Sequence, residues 1–439
     1  MQDKEFLMSD ISTLLSAKPV SRRDAAAGLA RGGAALALSS GLLPGFAAAS
    51  TADDAGSATD AVTPFRVTVA QSSIDDLKRR LAATRWPDRG TVDDWSQGVP
   101  IDAARRLIKH WHERYDWRKF ERKLNAFPQF RTVIDGLGIH FLHVKSRHAD
   151  ALPLILTHGW PGSVVEFIKT IGPLTDPTAH GGRAEDAFHV VIPSQPGFGW
   201  SDKPSQPGWN VVRTAQAWGV LMKRLGYSRW VAQGGDWGSG VTHALGHVRP
   251  DGLVAAHVNW PLVFPQQFPE QPTPEEKAAM EAAGRFASDQ FGYFKEQATR
   301  PQTIGYALAD SPVGQATWIY EKFQAWTDNP GRVEQVLSTD EMLDNISLYW
   351  FTNTAASSAR IYWENARNGG GFDAGRIELP MAATIFPKEI YRAPRSWAQA
   401  HWPNLIYWNE VDRGGHFAAF EQPQLFSEEL RKAFRSVRA

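Results

Sequence analysis

The chain predicts an α/β fold: a mostly parallel central sheet flanked by helices, with an all-helical insertion over one end. Three observations predict it. From Leu152 onward, short apolar runs alternate with helical stretches, as strand–helix–strand units do. The alternation stops after Val258-Asn259-Trp260-Pro261, and residues 264–378 read as helical, aromatic and proline-punctuated. Strand patterning then resumes at Leu379-Pro380-Met381-Ala382-Ala383-Thr384-Ile385 and returns once more at Leu405 to Trp408. The 439 residues are 43% hydrophobic, which suits a soluble globular chain of two or more domains. The 47 basic and 47 acidic residues cancel and no basic run occurs, which argues against nucleic acid as a partner. The chain has no cysteine, so it carries no disulfide, zinc-thiolate or thiol chemistry. Its 18 tryptophans point to aromatic-lined cavities as well as core.

Residues 1–49 read as an export signal. Ser21-Arg22-Arg23-Asp24 precedes an apolar run from Gly32 to Leu43, then Pro44 and Ala47-Ala48-Ala49. The arginine pair resembles a twin-arginine signal, with Ala25 and Ala26 where bulky apolar residues are preferred. The run is short for a membrane span. The expectation is therefore cleavage near Ala49, export to a bacterial periplasm and no retained membrane anchor; the alternative is a disordered or membrane-associated tail. Residues 50–62 read as a linker.

Residues 63–148 form a separate block. Ser72 and Ser73 with Asp75 and Asp76 are expected to cap a helix from Ile74 to Thr84. A second helix runs from Ile101 to Arg114, and Arg131–Ile134 and Ile139–Val144 read as a hairpin about Asp135-Gly136. His140 and His143, three apart on a strand, face opposite sides and are expected on the sheet surface, not as a metal pair. Residues 149–263 form the first part of the core. Leu154–Thr157 is a strand, Val164–Ile171 a helix, His189–Pro193 a strand, Val211–Leu225 a helix and Trp230–Gln233 a strand. His243 and His247 lie on the helix after that last strand without a carboxylate ligand, so they read as packing or surface residues. Residues 264–378 form the lid, and 379–439 complete the core with a closing helix from Glu421 to Val437.

The chemistry gathers around Val231-Ala232-Gln233-Gly234-Gly235-Asp236-Trp237-Gly238. The frame Gly234-x-Asp236-x-Gly238 matches a nucleophile elbow with aspartate in the usual place of serine. Such a turn lifts its central side chain over the sheet edge, at a helix N-terminus that favours the ionised carboxylate. The same residues also fit a surface turn with an N-capping aspartate. Glu389 follows one late strand and His416 follows the last, in a glycine-bearing loop. A histidine there needs a carboxylate to fix its tautomer. Glu389 is the candidate, with Glu410 and Asp412 as rivals. The order nucleophile, acid, histidine is that of α/β hydrolases. In that fold the loop His158-Gly159-Trp160-Pro161 and the residue after the nucleophile offer backbone N–H groups to an oxyanion hole, here Trp160 and Trp237.

With these residues the chain resembles the microsomal and juvenile-hormone type of epoxide hydrolase from about Pro64 to its C-terminus. The specific pieces are Tyr115 to Ser146, His158-Gly159-Trp160-Pro161-Gly162-Ser163, Gly234-Gly235-Asp236-Trp237-Gly238 and Arg413-Gly414-Gly415-His416-Phe417-Ala418-Ala419-Phe420-Glu421. The resemblance implies Asp236 as nucleophile, Glu389 as acid and His416 as base. It also implies two lid tyrosines that activate the epoxide, Tyr293 and Tyr362; aromatics at such positions otherwise read as lid packing. It implies a small apolar epoxide and water as reactants, a detoxifying role and no metal or organic cofactor. It says nothing of the oligomeric state. The microsomal members carry a membrane anchor where this chain has its predicted signal.

Aspartate suits this chemistry because an epoxide carbon is saturated and offers no carbonyl for serine to attack. Ring opening by Asp236 would leave an ester whose carbonyl belongs to the protein, open to water activated by His416. Two alternatives share some of the residues. A haloalkane-type dehalogenase uses the same aspartate, tryptophan and histidine, but Trp160 in place of asparagine and the tyrosine pair favour an epoxide. A ligand-binding relative without catalysis would not need all three triad members.

Overall fold

The computed structural model describes residues 60–265, 267–367 and 375–438; the predicted signal and all but the last three residues of the linker lie outside the described residues. Nine strands form one sheet: β1 (Thr63–Phe65), β2 (Gln129–Ile134), β3 (Leu137–Val144), β4 (Leu152–Thr157), β5 (Phe188–Pro193), β6 (Trp230–Gly234), β7 (Leu253–Val258), β8 (Met381–Ile385) and β9 (Leu405–Glu410). Their order is β1-β2-β3-β5-β4-β6-β7-β8-β9. The first four pair antiparallel, and the run from β5 to β9 is parallel throughout. The strands of block 63–148 are thus an antiparallel extension of the core sheet. The β2–β3 turn carries Asp135 at φ 49° and Gly136 at φ 74°, the paired left-handed conformation of a tight hairpin.

Ahead of β2 lie α1 (Gln71–Ala82), α2 (Ile101–Glu113) and α3 (Trp117–Leu124). Helix α1 begins three residues before the predicted start, without a side-chain cap. Asp75 and Asp76 instead accept from Gln71 and Arg80 four residues away, along the helix surface. Helix α3 was not expected; Asp116 caps it by accepting from the Arg118 N–H at 2.9 Å. On the core side, α4 (Val211–Arg224) and α5 (Trp237–Val248) flank the parallel strands. The predicted helix Val164–Ile171 is instead a 3₁₀ turn, Val164–Phe167, followed by a short helix, Ile171–Thr175. The predicted closing helix is also broken. Pro423 forces Gln422 out of helical geometry (φ −130°, ψ 58°) and starts α12 (Pro423–Ala433) anew.

Between β7 and β8 the lid contributes α6 (Pro274–Arg285), α7 (Gly292–Thr299), α8 (Pro301–Asp310), α9 (Pro312–Trp326), α10 (Thr339–Thr352) and α11 (Ala355–Arg367). Helices α6 and α10 open on complete capping boxes, Thr273 with Glu276 and Ser338 with Glu341. The histidines expected on the sheet surface are buried. The His140 ring nitrogens reach Ser194 and Gln129 at 3.0 Å each, and His143 Nε2 reaches the Tyr227 hydroxyl at 2.7 Å. Both faces of β3 are covered, so alternation along it does not separate core from solvent. His243 is buried with Nδ1 at 2.7 Å from the Ser239 carbonyl, and His247 is exposed.

Strand β6 and helix α5 nearly touch. A Cβ on Gly234 would overlap the Gly238 carbonyl, and one on Gly238 the Thr157 carbonyl of β4. Backbone cannot yield as a side-chain tip does, so Gly238→Ala is expected to destabilise the fold by about 2 kcal/mol or more. A lower urea midpoint with an unchanged slope is the measurement that checks it.

Candidate active site

Asp236 stands at the β6–α5 turn with φ 52° and ψ −128°, a conformation that costs a non-glycine residue of order 1–3 kcal/mol. The strain is held by Gly234 and Gly238 on either side, and it turns the carboxylate over the C-terminal ends of the parallel strands. Ligand sites of open α/β sheets gather at that end. The Trp160 N–H donates to Asp236 Oδ1 at 2.7 Å. Gly159 permits this approach, because a Cβ there would overlap the same oxygen. The Trp237 N–H opens α5 directly after Asp236.

His416 follows β9 and donates from Nε2 to Asp236 Oδ2 at 3.1 Å and from Nδ1 to Glu389 Oε1 at 2.5 Å. Both partners come from strand ends, Glu389 from beyond β8. Its rivals are elsewhere: Asp412 pairs with Arg413 at the surface, and Glu410 is exposed beside the Trp408 ring nitrogen. The side chains of His416 and Glu389 are each 1% exposed, against 13% for Asp236. Burial alone would lower the His416 pKa. The Glu389 charge and the contacts with both carboxylates outweigh it and hold the imidazole well above its ordinary value, so it is a cation at neutral pH. Trp260 and Trp326 enclose the ring edge-on at 5.3 and 5.1 Å. Glu421 fixes the loop, accepting from the N–H groups of Gly415 and Phe417 at 3.1 Å each and of Asp328 at 2.7 Å. Its position in the His416 motif was visible in the sequence; its service to the residues flanking His416 was not.

The lid brings Tyr293 (α7) and Tyr362 (α11) over this group. Tyr293 stacks on Trp160 at 5.2 Å and 11°, while Tyr362 meets Trp160 and Trp237 edge-on at 5.8 and 4.8 Å. Among the described residues the buried Tyr362 hydroxyl has no hydrogen-bond partner of good geometry. Burial first, then the Asp236 charge for Tyr293, and the neighbouring Tyr293 and Asp236 for Tyr362, raise both phenols well above their ordinary value. Each therefore stays protonated and able to donate. Buried Lys322 lies 4.3 Å over the Tyr293 ring, a cation that sequence reasoning did not single out. A narrow pocket with about 70 Å³ of free room opens from Asp236 between these tyrosines and the apolar side chains Trp260, Leu262, Phe286 and Phe291. Phe286 belongs to a π-helical stretch, Phe286–Gln290, a form frequent at functional sites. Among the described residues no group of three or more histidine, aspartate or glutamate side chains is arranged to hold a metal ion.

The loop that carries Trp160 is clamped by lid helix α10. The Ser163 hydroxyl donates to Asn345 Oδ1 at 2.7 Å, Asn345 Nδ2 to the Pro161 carbonyl at 2.8 Å and the Tyr349 hydroxyl to the Gly162 carbonyl at 2.7 Å. The opposite side of α10 rests on the N-terminal block, where Trp111 donates to Ser347 at 3.0 Å and Tyr115 to Asp344 at 2.8 Å.

Two family models match this chain: the epoxide hydrolase N terminus over residues 62–167 and the alpha/beta hydrolase fold over 153–294. A Stigmatella aurantiaca protein with a provisional epoxide hydrolase name is 63% identical over 379 residues, 86% of each chain. Epoxide hydrolase 1 of Sus scrofa is 36% identical over 410 residues, 85% of this chain and 88% of its own. The crystal structure of juvenile hormone epoxide hydrolase from Bombyx mori superposes with a TM-score of 0.80 at 30% identity, covering 87% of this chain and 96% of that one.

The clamp on the Trp160 loop makes Asn345→Ala informative. The substitution leaves the buried Pro161 carbonyl and the Ser163 hydroxyl short of a partner, at about 1–3 kcal/mol. Turnover is expected to fall beyond what the lost stability explains, because the Trp160 N–H loses its fixed position. Steady-state rates measured well below the unfolding temperature test this.

Proposed function

The chain belongs to the epoxide hydrolase family of the α/β-hydrolase fold, and from that premise we propose that it converts an apolar epoxide and water to a vicinal diol through a covalent ester on Asp236. The observation that carries the reading is a carboxylate at the floor of an apolar pocket, with two neutral phenols in the wall and a charged histidine beneath. Asp236 attacks a ring carbon, the carbon–oxygen bond breaks, and its electron pair goes to the ring oxygen. That oxygen takes a proton from Tyr293 or Tyr362, whose raised pKa values suit them to an alkoxide more basic than an ordinary phenolate. Halide release would need no proton, so the tyrosine pair supports the epoxide over the dehalogenase reading.

Ester formation then changes the base. The ester has lost the Asp236 charge that helped to hold the proton on His416. The imidazole pKa falls, its proton returns to the tyrosinate left by ring opening, and the now neutral ring can accept a proton from water as that water attacks the ester carbonyl. The Trp160 N–H, already 2.7 Å from Asp236 Oδ1, is in place for the tetrahedral oxyanion, with Trp237 as the second donor. Collapse releases the diol, whose oxygen takes the proton from His416, and leaves Asp236 as an acid that passes its proton to the neutral imidazole, restoring the resting pair. Glu389 accepts from Nδ1 throughout and orients the ring.

A single turnover with excess protein in oxygen-18 water tests the covalent path. The expected first-turnover diol is unlabelled and the label appears on Asp236; labelled diol would mean that water attacks the epoxide directly. In His416→Gln the ester should persist as protein plus one substrate by intact mass. Tyr293→Phe and Tyr362→Phe should each slow formation of that adduct on the order of a hundredfold.

We also propose, from the pattern in residues 1–49 alone, that the chain is exported and cleaved near Ala49. N-terminal sequencing of the protein from a bacterial periplasm should begin near Ser50; an intact Met1 in the membrane fraction would refute it.

A further inference from the structure

Asp236 also borders a second, small cavity with about 10 Å³ of free room, about what one water needs. Its walls mix polar groups with Phe167, Phe417 and Phe426, where the front pocket is almost wholly apolar. Glu166, Asn259, His416 and Asp236 line it, with the backbone of Trp160 and Gly162. Glu166 comes from the 3₁₀ turn after the Trp160 loop, lies deep in the protein and lines the chamber. Two glycines make the space. A Cβ on Gly162 would overlap Glu166 Oε1, and one on Gly235 would meet the Asn259 side chain at 2.6 Å. One backbone donor, the Ser163 N–H, reaches the Glu166 carboxyl, while Ser163 Oγ accepts from Val165 N–H at 3.2 Å. The Ser163 N–H contact ties the carboxyl to the start of a four-residue turn. It uses one of about four acceptor directions of a carboxyl group and leaves the rest toward the chamber. Burial, opposed by the His416 charge and reinforced by Asp236, pushes this carboxyl up to about 8. At neutral pH it mostly keeps a proton and can both donate and accept.

We propose that this chamber seats the hydrolytic water and that Glu166 is the positioning residue that holds that water between His416 Nε2 and the carbonyl carbon of the Asp236 ester. The inference rests on the covalent reading above. Two demands on the site separate in space. Alkylation needs a dry pocket for an apolar epoxide; hydrolysis needs a water that approaches the same carboxyl carbon from the other face, within reach of the base. A water in an enclosed polar site needs two to four partners. His416, Glu166 and Asn259 supply them, and bulk water need not cross the substrate pocket. Glu166 forms no bond to substrate. It acts through the water and the histidine.

The experiment separates the half-reactions in the full-length enzyme, with styrene oxide as the probe. Glu166→Ala should form the Asp236 ester at a rate within about twofold of the parent, and hydrolyse it roughly ten- to a hundredfold more slowly, as loss of one oriented hydrogen-bonding group does. Because kcat/KM reports the steps through alkylation, it should hold while kcat and KM fall together. Glu166→Gln retains the cap and a neutral hydrogen-bonding group, and should recover most of the hydrolysis rate. Gly162→Ala, which displaces the carboxyl without removing it, should reproduce the split seen in Glu166→Ala. Equal slowing of both steps, or of neither, would mean that Glu166 only caps its turn, and the proposal is overturned. If His416→Gln, with Glu166 intact, accumulates no ester, the covalent reading fails first and this inference with it.

Discussion

A buried imidazolium held between two carboxylates governs this structure. Removing three charged groups from water is costly, and their mutual attraction offsets that cost only when the geometry is good and the remaining hydrogen bonds are met. Each surrounding feature serves that condition. The strained turn delivers Asp236, the end of β8 delivers Glu389, and Glu421 gathers the backbone around His416. The aromatic rings of Trp260 and Trp326 keep water from dissolving the arrangement. Remove one carboxylate and the cation loses its reason to exist. In the proposed mechanism an ester on Asp236 does this reversibly, so the same contact that stores a proton in the resting protein becomes the switch that releases it.

The N-terminal block and the lid form a relay of support rather than separate additions. Trp111 and Tyr115 brace one side of α10, and from its other side Asn345 and Tyr349 grip the loop that aims the Trp160 N–H. The precision needed for an oxyanion donor is therefore set partly by residues more than a hundred positions apart, on three units of the chain. Such a role lies in burial and reach, not in proximity to the reacting atoms.

Much of this was legible in the sequence where the signal is local. The elbow, the His158-Gly159-Trp160-Pro161 loop and the glycine-bearing loop of His416 each require particular residues within a few positions, and each sits where the pattern puts it. Glu389 was harder, since the choice against Glu410 and Asp412 depends on where strand ends point. Tyr293 and Tyr362 came through family resemblance, because a lid aromatic that packs and one that faces a pocket have the same spacing. Glu166, Asn345, Lys322 and Glu421 went unassigned for the same reason: their partners lie across the fold. The helices that were misplaced failed for physical causes. Pro423 interrupts the last one, and the run from Val164 tightens to a 3₁₀ turn whose N-cap, Ser163, accepts from the Val165 N–H. His140 was misjudged because a strand covered on both faces hides its inner side chains from any alternation rule.

The clamp between α10 and the Trp160 loop also decides how a guest enters. A cap fastened to the floor by three deeply seated hydrogen bonds cannot swing open like a door without undoing the oxyanion donor. The opposite wall is built otherwise. Of α6 only Ala279 is buried, and the π-helical stretch after it buries none of its residues, yet Ala283, Phe286 and Ala287 line the pocket. That wall has the least packing to lose. Opening there would leave the clamped side and its hydrogen bonds undisturbed, and the bulk of Phe286 beside Ala283 and Ala287 shapes that wall of the pocket.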